Sequence, residues 1–206
     1  GANYVVLRCT DKKNRPTIKL GAGTDDEGNS TVGQINTSAP LTLQNIIVDC
    51  TDVPDDAKNS AVIALSKNPV EKYKAKTGGG NYYNIMDEPV ALKNCDFKNV
   101  KGMLVYDGNK AYCIETLLIQ DCNVHFAVPT QQANLAYIYM PGGFIKDLTI
   151  KNTTMWNTGA GNLQYGVRYN NSGRLDRAGY DRGSQTQSVN HINCTFYNLA
   201  YGWWAN

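Results

Sequence analysis

No stretch of this chain approaches the roughly 18 consecutive apolar residues that a membrane helix needs, and no charged-then-apolar leader opens it. The formal charge is only +2, too weak a field to argue for nucleic acid as a partner. No Cys-x-x-Cys pair has zinc spacing, and the only histidines, His125 and His191, stand far apart, so no metal site is expected. Nothing repeats at i, i+3, i+4 over a length that would make an amphipathic helix. An initiator methionine is missing as well: the chain starts Gly1-Ala2-Asn3, as expected of a mature or trimmed product.

What is present is a chain of 206 residues, 42% apolar and 18% charged, long enough for one domain or one elongated solenoid with a sizeable core. Short alternating apolar runs are separated by Asn, Asp and Gly, which points to an all-β chain and to internal repeats.

The repeat reads apolar, any, apolar, any, Asn or Asp, small or apolar, any, apolar. Its copies start at Leu41, Val90, Leu117, Leu148 and Val189, with the turn residue at Asn45, Asn94, Asp121, Asn152 and Asn193. Two short strands with period-2 alternation meet at a residue that tolerates a left-handed backbone, which suits Asn and Asp. A second apolar run follows each copy: Ala61 to Leu65, Met103 to Tyr106, Leu135 to Met140, Leu163 to Tyr169 and Tyr201 to Trp204. One such unit cannot bury its own apolar face, but a stack of them can. The expectation is a single-stranded, right-handed parallel β-helix of about five coils over 1–206. Residues 1–40 form an N-terminal cap and first strands, and loops are pushed out at 71–88 and 170–188. An antiparallel sandwich would show hairpin turns in place of one turn residue recurring in register.

Cys95, Cys122 and Cys194 share the position after the turn residue with Ile46 and Thr153, so free thiols packed in an inward ladder are expected. Unpaired cysteines in this number, with Asn-x-Ser/Thr sequons at Asn152 and Asn193 on turns expected to face inward, suit a bacterial protein. His191 falls at an inward position of the last copy, as a core or end-cap residue, and Trp203 and Trp204 are placed to close the open end.

Alternation also stacks the outward residues into rows. One row comprises Asp49, Lys98, His125, Trp156 and Tyr197. Rings in a line can stack on sugar faces and the lysine can meet a carboxylate; the alternative is that the rings cover one another or sit beneath the 170–188 loop. That loop carries Arg174, Arg177 and Arg182, which could close over an anionic sugar or pair with the loop's own aspartates.

With the Asn-Cys and Asp-Cys turn motif in hand, the segment from Leu41 to Phe196 resembles the pectin-lyase-like β-helices. In particular it resembles uncharacterised β-helical domains of surface and secreted proteins of gut Bacteroidetes. The resemblance implies a polysaccharide ligand and a secreted or cell-surface bacterial location. The catalytic signatures are missing: there is no Asn-Thr-Asp, Gly-His-Gly or Arg-Ile-Lys, and no Arg-x-Pro-x-x-Arg. The expected function is therefore a non-catalytic polysaccharide-binding domain without a cofactor. A lyase or hydrolase on an acidic glycan is the second reading. There Lys93, Lys151 or Arg168 would be the base and Asp96 would hold calcium. The third reading is a spacer or adhesion module within a longer chain with further domains.

Overall fold

The computed structural model describes residues 4–24, 30–57, 59–65, 74–76, 82–108, 112–141, 143–169, 188–199 and 203–205. Among them there are strands and turns and no helix.

The chain runs through three sheets in a fixed order. The first pass is Val5–Arg8 (β1), Thr17–Thr24 (β2) with its antiparallel partner Ser30–Val32 (β3), and Ile35–Thr37 (β4). The second is Leu41–Gln44 (β5), Ile47–Asp52 (β6) and Ala61–Leu65 (β7). Lys74–Lys76 (β8) and Tyr82–Met86 (β9) then precede Val90–Lys93 (β10), Asp96–Val100 (β11) and Met103–Tyr106 (β12). The fourth pass is Tyr112–Gln120 (β13), Asn123–Phe126 (β14) and Gln132–Met140 (β15), and the fifth is Phe144–Lys151 (β16), Thr154–Asn157 (β17) and Leu163–Tyr169 (β18). Ser188–Ile192 (β19), Thr195–Tyr197 (β20) and Trp203–Ala205 (β21) complete the described strands.

Apart from β3, β8 and β9, each strand pairs in parallel with its counterpart one pass away: β1-β5-β10-β13-β16-β19 in the first sheet, β20-β17-β14-β11-β6-β2 in the second, β21-β18-β15-β12-β7-β4 in the third. Three parallel sheets built this way are the arrangement of a parallel β-helix. The register is the one the repeat dictates, with Leu43 beside Leu92, Leu92 beside Ile119, and Ile119 beside Ile150. Among the described residues six strands follow one another in each of these orders where the repeat has five copies, because β1, β2 and β4 pair ahead of the first copy without its motif.

All five turn residues, Asn45, Asn94, Asp121, Asn152 and Asn193, have φ between 48° and 57°. That left-handed conformation costs most L-residues energy, and Asn and Asp bear it best because their short side chains bond locally. Here the side chains bond to the neighbouring pass instead. Asn94 Nδ2 donates to Asn45 Oδ1 at 2.8 Å, Asn152 Nδ2 to Asp121 Oδ1 at 2.9 Å, and Asn193 Nδ2 to Asn152 Oδ1 at 3.1 Å.

The core is one continuous column. Leu43, Leu92 and Ile119 from the first sheet, Val48, Phe97 and Val124 from the second, and Ile63, Val105 and Ile138 from the third are all buried. Cys95 and Cys122 stand in that column as free thiols, with Cys194 half-buried at its end. Each sulfhydryl donates to backbone carbonyls, Cys122 to Leu92 and Gln120. The adjacent Cys95 sulfur and, second, burial hold the Cys122 thiol above its ordinary pKa.

Three sequence expectations change. Asn152 and Asn193 are exposed rather than inward, because the turn stands at the corner between two sheets. His191 pairs with Ile150 in the inward register but is exposed: no described strand lies beyond β19, and its ring meets Phe196 edge-on at 5.2 Å. Within 71–88 the chain forms the antiparallel pair β8–β9, and β9 joins the first sheet beside β13. Residues 170–187, with Arg174, Arg177 and Arg182, lie outside the described residues, as do the side chains of Trp203 and Trp204.

A cleft on the outer face of the second sheet

Between β11 and β14 the ladder slips. Phe97 pairs with Val124, but the next pair is Val100 with Phe126, so Lys98 and Asn99 stand opposite His125 alone. Asn99 takes the extra residue in a left-handed conformation, φ 55°, and its Nδ2 donates to Thr51 Oγ1 at 2.7 Å. Such a bulge bends the strand and re-aims its side chains. An open cleft of about 370 Å³ lies at this slip. Its walls are Asp96 to Asn99 on one strand, Asn123 and His125 on the next, and Trp156 on the third.

The expected outward row is thus present with an interruption. Lys98 pairs with Asp49, and His125, Trp156 and Tyr197 pair in sequence, but Lys98 and His125 are not partners. His125 and Trp156 stack with centroids 5.1 Å apart and planes 15° from parallel. The His125 Nε2 lies 2.7 Å from Thr158 Oγ1. Partial burial lowers the His125 pKa from its ordinary value, so the ring is neutral at pH 7. Tyr197 is 69% exposed, and Lys98 is exposed. Beyond Lys98, Asp49 accepts from the Thr51 hydroxyl and backbone, which together hold its pKa down.

Asp96 is engaged on both oxygens. Arg15, from the segment between β1 and β2, pairs with Oδ2 and also reaches the Asn94 carbonyl; Asn123 Nδ2 donates to Oδ1 at 2.9 Å. A carboxylate so held is a wall of the cleft and not a free metal ligand or base. Among the described residues no three His, Cys, Asp or Glu side chains converge.

The other candidates lie elsewhere. Lys93 and Lys151 end strands of the first sheet, in the row with Gln44 and Gln120. Arg168 is on the third sheet, its guanidinium carbon 5.5 Å from the Tyr139 ring centre and 5.3 Å from that of Tyr165. Lys93, Lys151, Arg168 and Asp96 therefore fall on three sheets and do not form one site.

Sequence alternation does not show Asn99 in the cleft, nor Arg15, which holds its wall residue Asp96. Asn99 had a faint signal, since an Asn five residues after the turn residue recurs at Asn157 and Asn198. Arg15 had none, because 81 residues separate it from its partner.

The family model described as a domain of unknown function, DUF4957, matches residues 3–158, a span that includes every cleft residue. No curated protein and no solved structure matches the chain.

Proposed function

The chain belongs to the DUF4957 family, and we propose that this member is a glycan-binding, non-catalytic parallel β-helix whose ligand lies along the outer face of the second sheet. The observation that carries the reading is the His125–Trp156 stack beside Lys98 and Asn123 in an open cleft. The edges of the stack and the Trp156 face turned away from His125 can meet the apolar side of a pyranose, amides read its hydroxyls, and an exposed lysine accepts a uronate carboxylate. Such binding uses no cofactor. The reading takes the winding as right-handed and pectin-lyase-like, in line with the hand of parallel crossovers in general. With a glycan ligand goes a location at a bacterial surface or outside the cell.

A lyase or hydrolase reading draws less support, since Asp96 is tied to Arg15 and Asn123 and the candidate bases lie on other sheets. The test is a glycan array with acidic and neutral polysaccharides, run beside Trp156→Ala. We expect a subset of glycans to bind and binding to fall about tenfold or more in the variant, on the order of 1.4 kcal/mol or more. No binding to any glycan, or equal binding by the variant, overturns the reading. Release of unsaturated product from polygalacturonate overturns the non-catalytic part.

A further inference from the structure

The outer face of the third sheet carries a second built arrangement, away from the cleft. One register row runs Asn36, Ala64, Tyr106, Tyr139, Arg168. It is small or polar over its first two members and turns aromatic and cationic over the next three. Tyr106 and Tyr139 stack with centroids 5.9 Å apart and planes 15° from parallel. Arg168 continues the stack over Tyr139 and also meets the ring of Tyr165.

The backbone is shaped around Arg168. Between Gln132 and Ala136 β15 bulges against β18, and Asn134 there has φ 65°. Its N–H donates to Gln164 Oε1 at 2.6 Å, and its carbonyl accepts from Arg168 at 2.6 Å. Both contacts come from β18, so the bulge and the arginine fix each other. A bulge with a left-handed non-glycine is costly and is retained where it aims a group.

Arg168 has no carboxylate partner among the described residues, and it is half-exposed. A guanidinium with rings against it and one N–H bonded to a carbonyl keeps its remaining in-plane donors for an acceptor from solvent. Their fork matches a two-oxygen anion. Tyr106, Tyr139 and Arg168 occupy three neighbouring rungs, about 10 Å along the helix axis, with the edges of the stack turned outward. Burial raises the Tyr106 pKa, so its hydroxyl stays protonated and able to donate.

We propose that Arg168, with Tyr106, Tyr139 and Tyr165, forms a second binding site that takes a sugar bearing an oxyanion, a carboxylate or a sulfate, with Arg168 on the anion and the tyrosines on the ring. The ligand class rests on the glycan reading above; the place and the charge requirement do not depend on the cleft.

Calorimetric titration separates the two. The probes are oligogalacturonate, a chondroitin sulfate oligosaccharide and a neutral cello-oligosaccharide; the variants are Arg168→Gln, Arg168→Lys, Tyr139→Ala and Trp156→Ala, each checked for an unchanged thermal midpoint. The site predicts that the wild type binds at least one anionic probe and that Arg168→Gln weakens it about tenfold or more. Arg168→Lys recovers only part of this, because a point charge replaces a fork. Trp156→Ala leaves the Arg168-dependent part of this binding in place. Whichever anionic probe binds identifies the anion. The proposal is overturned if no anionic probe binds, if Arg168→Gln binds as the wild type does, or if Trp156→Ala alone abolishes anionic binding. Should Arg168→Gln lower the midpoint, Tyr139→Ala decides: unchanged anionic affinity in it overturns the site.

Discussion

Asparagine at the corner between the first and second sheets meets two demands, a left-handed backbone and a bond to the next rung. The two can be separated at Asn94, with φ 49° and its amide on Asn45. Asn94→Gly keeps the backbone and loses the side-chain bond, about 1 kcal/mol. Asn94→Ala loses both, about 2–3 kcal/mol in all. Urea unfolding that ranks alanine no worse than glycine would contradict the backbone half. Asp121 interrupts the ladder: it accepts from Asn152 and Gln120, and those bonds hold its pKa down, but a carboxylate has nothing to donate towards Asn94. Asp121→Asn should therefore raise the urea midpoint, and a lower one would show that the interruption is not a weakness. His125 gives a pH prediction. Its folded pKa lies below its unfolded value, so its contribution is complete above about pH 6.5 and is lost as the pH falls through the folded value. Imidazole resonances followed by NMR should titrate below 6.5, and a midpoint above it would mean that the ring is not desolvated against Trp156.

Strands on either side of the turn residue were legible because one invariant geometric demand, a left-handed corner, fixes the register of everything within four residues of it. Val90 to Phe97 and Leu117 to Val124 pair rung on rung as the alignment of the sequence on itself requires. Legibility fades where a rung gains a residue. The bulge at Lys98–Asn99 breaks the outward row, and the bulge at Gln132–Ala136 hides the alignment of Tyr139 with Arg168. The segment 71–88 read as a loop, yet Lys74–Lys76 and Tyr82–Met86 pair as β8 and β9, because backbone pairing asks little of side chains. Of the two roles read for His191, core or end-cap, the core one fails, since burial depends on a further rung that a strand pattern cannot reveal. Close approach between rungs makes its own prediction at Gly159, where a Cβ would fall 2.0 Å from the Val128 carbonyl oxygen. Gly159→Ala should cost on the order of 2–3 kcal/mol by forcing β17 and β14 apart at their ends, and an unchanged thermal midpoint would show that the connection yields freely.

Over the whole molecule, stability comes from one column of apolar side chains repeated rung by rung, in which Cys50, Cys95, Cys113 and Cys122 contribute volume and none of the six cysteines a cross-link. Burial pushes the Cys50 thiol up to about 12 and the Cys113 thiol well above its ordinary range, so neither is reactive in the folded protein. The same column leaves the outer faces free to differ. The first sheet carries the Gln and Lys row, the second the His125–Trp156 cleft, and the third the Tyr139–Arg168 platform. The measurement that tests the account most directly is hydrogen–deuterium exchange of the protein with and without the tightest glycan of the array. The account predicts slower exchange in Asp96–Val100, Asn123–Phe126 and Thr154–Asn157, with no change in the strands of the first sheet. Protection confined to the first sheet, or spread evenly over all three, would contradict it.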